Sequence, residues 1–89
     1  MNWRIDFSSR SLQFLRENNL GEDFILEKIG LALRRFRGED VNVDIKKLKG
    51  EWQGFYRIRA GRIRILVEFQ FDLQRAYIEA VDWRGRVYK

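Results

Sequence analysis

The chain has 89 residues, 45% of them hydrophobic, with 18 Lys and Arg against 13 Asp and Glu for a formal charge of +5, and it contains no cysteine, histidine or proline. That length suits one domain, spanning 1–89, with a single modest core. The lack of cysteine excludes a disulfide framework or thiolate metal site, and the lack of histidine removes the commonest acid/base side chain, so any catalysis runs without it.

The N-terminal "MNWRIDFSSR" interleaves charges with apolar residues, unlike a signal peptide, and no segment reaches membrane-spanning length, so a cytoplasmic protein is expected. Charge is unevenly spread. Residues 1–45 hold 7 basic and 8 acidic side chains, and residues 46–89 hold 11 basic and 5 acidic. The basic excess lies in the second half, which points to a polyanionic partner there, with a merely solvated basic face as the plain alternative.

In chain order, Trp3, Ile5 and Phe7 alternate with polar residues, as in a half-buried strand. Ser8 and Ser9 offer N-caps for a helix through Leu12, Leu15 and Arg16 that stops near Asn19 and Gly21. A second helix starts at Glu22 and Asp23, whose charge suits a helix N-terminus, and carries Ile25, Ile29, Leu33 and Phe36 on one face. Arg34, Arg35 and Arg37 close it, with Gly38 beyond. Val41, Val43 and Ile45 alternate and suggest a short edge strand. Strands then follow near 55–60, 62–71 and 76–83. The expectation is an α+β domain in which a small antiparallel sheet, the N-terminal strand plus a C-terminal three-stranded meander, packs on an N-terminal helical hairpin.

The most informative stretch is "GFYRIRAGRIRILVEF", residues 54–69, where two alternating runs meet at Ala60-Gly61. An even-length loop sets Ile58 across from Ile63 and Tyr56 across from Ile65, giving a core face continued by Val67, Phe69 and Phe71 and by Ala76, Ile78 and Ala80. On the other face Arg57 then opposes Arg64, and Arg59 lies near Arg62. Two like charges about 5 Å apart repel by roughly 0.8 kcal/mol even in bulk water. Glu68 shares that face and can neutralise only one or two of the arginines, so an anion-binding role is favoured over a solvated face. By the same parity Tyr77 and Trp83 join the arginines, and Tyr88 follows nearby. Guanidinium groups with exposed rings describe a surface for single-stranded nucleic acid better than a duplex reader. Alternatively, Tyr77 and Trp83 pack with Leu66 and Val81 in a small second cluster.

The ordered set "LKG" at 48–50, "YRIRAG" at 56–61, "RILVEF" at 64–69 and a closing "DWRGRVYK" resembles the RelE/ParE superfamily of toxins from bacterial type II toxin-antitoxin modules. The resemblance spans nearly the whole chain and implies the same fold class. RelE-like members are ribosome-dependent endoribonucleases, or mRNA interferases, so it implies attack of a ribose 2′-hydroxyl on the adjacent phosphate without metal or cofactor. It places Arg57 and Arg59 at the family's basic pair, Arg64 at the arginine of the next strand, Arg84 at the arginine after the last strand and Tyr88 at the near-terminal tyrosine. Arg64 and Arg84 are thereby expected to hold the scissile phosphate and Tyr88 to orient a flanking base. Lys46, Lys47, Lys49, Arg62 and Arg86 are expected to touch RNA backbone, with ordinary solvation as the alternative for each.

The chain departs from the family where other members carry lysines (Arg57 and Arg59), a histidine (Trp83) or a glutamate (Lys46). Arginine is no general base near neutral pH. The proton acceptor is therefore unassigned, with Tyr88, Lys49 and Glu68 as candidates. The resemblance also implies a cognate antitoxin, an acidic segment that folds over the basic sheet face in a hetero-oligomer. Two other readings stand beside the interferase: a ParE-like poison of DNA gyrase that cuts no RNA, and a basic RNA-binding module without toxicity.

Overall fold

A computed structural model of the chain describes residues 2–85. The elements are β1 (Arg4–Phe7), α1 (Ser9–Glu17), α2 (Glu22–Phe36), β2 (Asp44–Lys47), a 3-10 turn at Gly50–Trp52, β3 (Phe55–Ala60), β4 (Ile63–Gln70) and β5 (Arg75–Trp83). The strands form one five-stranded sheet in the order β1-β5-β4-β3-β2. Among the described residues no helix is long and apolar enough to cross a membrane.

Local chemistry explains the helix ends. Ser8 caps α1 with an extended backbone, its Oγ accepting from Ser11 N, and Asn18 closes the helix. Glu22 and Asp23 open α2 while Arg34 and Arg35 occupy its last turn, matching both ends of the helix dipole. Beyond it, Arg34 and Arg37 donate to the Glu39 carboxylate at 2.9 and 3.1 Å, and these bonds hold its carboxyl below the usual range.

Both helices cover one face of the sheet. Phe14 and Leu15 from α1 and Ile25, Ile29, Ala32 and Leu33 from α2 pack against Ile58, Ile63, Ile65, Val67, Phe69, Ala76, Ile78 and Val81. Ile25, Ile29, Ile58, Ile65 and Ile78 have no exposed surface. An aromatic group of Trp3, Phe36, Tyr56, Phe69 and Phe71, in edge contacts near 5–6 Å, closes the end of the core beside the β4–β5 turn. The alternating apolar runs of the sequence thus map onto this layer.

Four details differ from the sequence expectation. First, β1 pairs with β5 in parallel, so the sheet is mixed rather than wholly antiparallel. Its partner lies some seventy residues away, and no hairpin constrains its direction. Second, the edge strand begins at Asp44, beyond Val41 and Val43. Third, the β3–β4 register is offset by two residues: Ile58 opposes Ile65, and Tyr56 opposes Val67. The loop is Gly61-Arg62 rather than Ala60-Gly61. Gly61 takes φ +64°, as the first central residue of a type II′ hairpin turn requires, and alanine in that place would be strained.

Fourth, β5 carries a bulge. Leu66 pairs with Ala80 but Val67 pairs with Ile78, leaving Glu79 without a partner on β4. The extra residue inverts the alternation of the strand beyond it. Ala80 leaves the helix-covered layer and joins Leu66, Leu48, Trp52 and Phe55 in a second apolar cluster on the opposite face, while Val81 joins the main core. The carbonyl freed at Glu79 is bound instead by Ser8 Oγ at 2.6 Å and Arg10 Nε at 3.1 Å, so the bulge and the start of α1 brace each other.

Candidate nucleic-acid interface

The sheet face that the helices leave uncovered holds the basic cluster, beside the small apolar cluster at Leu66. Arg59 is directly opposite Arg64 across β3 and β4, and Arg57 is opposite Leu66. The two-residue offset therefore leaves one direct arginine pair where two were expected. On the outer side Asp44 opposes Arg59 and Lys46 opposes Arg57. Three neighbouring strands thus place Lys46, Arg57, Arg59 and Arg64 on one surface. Lys47 lies opposite Tyr56, whose ring packs in the core layer, so it faces the helix side and not this cluster. Lys49 is exposed at the start of the 3-10 turn.

Arg64 is the centre of the group. It sits on the most buried strand and is only 7% exposed. Its Nη1 donates to the carbonyls of Gly61 at 2.7 Å and Ile63 at 3.1 Å, which pins the guanidinium against the hairpin turn. Burial lowers its pKa from the ordinary arginine value, and the charges of Arg59, Arg84 and Arg57 lower it further, with Asp44 opposing them. A cation kept in place against its own desolvation and three like charges makes this part of the surface strongly positive.

Arg84 follows β5, and its backbone N–H donates to the Arg62 carbonyl at 2.8 Å. That bond ties the strand end to the β3–β4 turn, and Arg62, Trp83 and Arg84 line a cleft of about 260 Å³ there. Arg62 belongs to the turn and not to the strand face. Trp83 is not on the arginine face: after the bulge its ring turns to the helix side and meets Phe14 at 5.3 Å, though it stays 37% exposed at the rim. Tyr77 does share the uncovered face, opposite Glu68. Arg86 and Tyr88 lie outside the described residues.

Three residues escape the sequence reading. Asp44 contacts both Arg57 and Arg59, at 3.4 and 3.5 Å, so it and not Glu68 is the counter-ion of the pair. Glu68 instead accepts from Gln70 Nε2 at 3.4 Å. Asp82 is paired with Arg64 in the β4–β5 register and accepts from Trp83 N at 2.7 Å. Trp52 belongs to the cluster over Leu66 and meets Phe55 at 5.4 Å. Period-two alternation from Ile45 places Asp44 with Lys46, and that was the available signal. Asp82 and Trp52 had none, because a bulge and a 3-10 turn place them.

No family model and no curated protein sequence matches the chain. Solved structures do. The RelE–RelB complex of the archaeon Pyrococcus horikoshii superposes with a TM-score of 0.66 at 22% identity, covering 98% of this chain and 100% of that one. The toxin-antitoxin complex RelBE2 of Mycobacterium tuberculosis gives 0.60 at 21%, covering 94% and 100%. The YoeB–YefM toxin-antitoxin complex of Staphylococcus aureus gives 0.62 at 17%, covering 94% and 99%. Two helices over a five-stranded mixed sheet, matched across nearly the full length of each neighbour, give this chain a RelE-like fold.

Proposed function

We propose that this protein is a ribosome-dependent mRNA endoribonuclease that arrests translation in the cytoplasm and is held inactive by a cognate antitoxin. The observation that carries this reading is the Arg59–Arg64 pair, flanked by Arg57, Lys46 and Arg84, on a fold whose solved neighbours are toxins of toxin-antitoxin complexes. A sheet that sets one arginine directly against another gives up stability, and an RNA backbone supplies the missing negative charge.

In the proposed reaction the ribose 2′-oxygen forms a bond to the adjacent phosphorus and the bond to the 5′-oxygen breaks, giving a 2′,3′-cyclic phosphate and a free 5′-hydroxyl. One proton leaves the 2′-hydroxyl and another reaches the departing oxygen. Charge accumulates on the non-bridging oxygens in between, where a fixed array of donors acts most strongly. Arg64 and Arg84 clasp those oxygens, Arg57 and Arg59 hold the flanking backbone, and Tyr88 orients a base. Lys46, Lys49, Arg62 and Arg86 contact RNA backbone, chiefly ribosomal. Lys47 contributes to the general field from the helix side.

The test is to map new mRNA 5′ ends in a purified translation system, with ribosomes present or omitted, alongside an Arg64→Ala/Arg84→Ala double variant. Cuts that require ribosomes and vanish in the variant are the expected result. Intact mRNA beside a folded protein would reject the activity and favour inhibition of DNA gyrase without RNA cleavage.

A further inference from the structure

Asp44 opens edge strand β2 and faces Arg59 across the β2–β3 ladder. Its two oxygens diverge, Oδ1 towards Arg57 Nη2 at 3.4 Å and Oδ2 towards Arg59 Nε at 3.5 Å. A carboxylate with one oxygen on each of two guanidiniums occupies the place that the non-bridging oxygens of a phosphodiester would take. Both contacts exceed the separation of about 2.7–2.9 Å typical of a tight charge-assisted bond. The Asp44 side chain is 55% exposed, so water can receive it when it leaves. Arg57 is far less exposed, and its Nε is buried without a hydrogen-bond partner. The pair is thus only partly satisfied by the anion it already has, and a buried donor left unpaired favours exchange for a better acceptor.

We propose that Asp44 is a built-in occupant of a phosphodiester subsite formed by Arg57 and Arg59, and that single-stranded RNA binds there by displacing it. The inference rests on the RNA-binding reading above and adds the site's resting ligand. In the free protein Asp44 offsets the repulsion among Lys46, Arg57, Arg59 and Arg64. In the complex a backbone phosphate takes over that task and the carboxylate turns to solvent. Asp44 therefore sets RNA affinity and takes no part in bond cleavage.

The experiment measures binding of a fluorescent 2′-O-methyl oligouridylate about eight nucleotides long, which the protein cannot cut, across a series of salt concentrations. Asp44→Asn and Asp44→Ser are compared with wild type and with Glu68→Gln, which removes the same charge from the same face without touching the pair. The expected result is binding about three- to fivefold tighter in both Asp44 variants. The slope of log K against log salt should steepen by about 0.7, with Glu68→Gln changing affinity less than about twofold. Equal affinity of wild type and the Asp44 variants overturns the proposal while leaving RNA binding standing. A Glu68→Gln effect as large as theirs also overturns it, since the field alone would then explain both. No binding by any protein overturns it together with the RNA reading. Loss of ribosome-dependent cleavage in Asp44→Asn with RNA binding intact makes the carboxylate a participant in the chemistry and overturns it as well.

Discussion

Arg64, proposed above as a phosphate ligand, opposes the fold that carries it. Its guanidinium is buried on the central strand and surrounded by the charges of Arg59, Arg84 and Arg57. Its folded pKa lies below the unfolded one, so the unfolded chain holds the proton more firmly. The charged form then costs stability at every pH below the folded value, and the cost fades as pH rises from the folded value to the ordinary arginine range. Arg64→Met keeps the length of the stem and removes the charge. The expected outcome is a higher urea midpoint at neutral pH together with a fall in cleavage of about a hundred- to a thousandfold. A lower midpoint would show that the bonds to Gly61 and Ile63 outweigh the desolvation. The same trade of stability for activity is common where a site needs an uncomfortable charge.

At the scale of elements, the bulge at Glu79 decides which side chains meet the arginines. It sends Trp83 to Phe14 and Ala80 to Leu66, and it exposes a carbonyl that Ser8 and Arg10 recover. Ser8 serves the helix as well, accepting from Ser11 N at 3.2 Å while its own N–H donates to the Ile78 carbonyl. One small side chain therefore fixes the start of α1 and the irregular part of β5. Ser8→Ala is expected to cost about 2 kcal/mol, the upper end for loss of an N-cap, because the bulge carbonyl loses a donor in the same change. Urea unfolding followed by circular dichroism measures it. A cost below about 0.5 kcal/mol would mean that Arg10 alone secures the bulge.

Across the whole molecule, charge and apolar surface separate. Basic groups gather on the uncovered face around Arg59 and Arg64, while exposed Phe71 and Leu73 lie in the β4–β5 turn, Phe71 against the Trp3 and Phe36 rings. If an acidic antitoxin segment docks on the basic face, the same arginines serve substrate and inhibitor, and added salt weakens both. Raising salt from about 0.1 to 0.5 M should increase the antitoxin dissociation constant by about tenfold or more, as read by titration calorimetry on the reconstituted complex. An affinity insensitive to salt would move the dock to the apolar rim at Phe71 and Leu73, where burial of hydrophobic surface dominates.

Much of this architecture was legible from residue order. Ser8, the acids at 22 and 23 and the arginines at 34 and 35 are local signals, and both helices obey them. Alternation of Ile58, Ile63, Ile65, Val67 and Phe69 marks the core face, because period-two patterning survives a register offset of two. The basic strip at 57, 59 and 64 follows from the same alternation, while the likeness to RelE toxins rests on the ordered motifs at 48–50, 56–61 and 64–69 and the closing "DWRGRVYK". Tertiary structure alone decided the rest. The parallel pairing of β1 joins segments far apart in the chain, the position of Gly61 in the turn set the register, and the bulge depended on Ser8 and Arg10 reaching a carbonyl some seventy residues away. Asp44 became a counter-ion only when β2 closed the sheet edge beside β3. Local preferences are encoded residue by residue, whereas partners across strands are selected by the packing of the whole sheet.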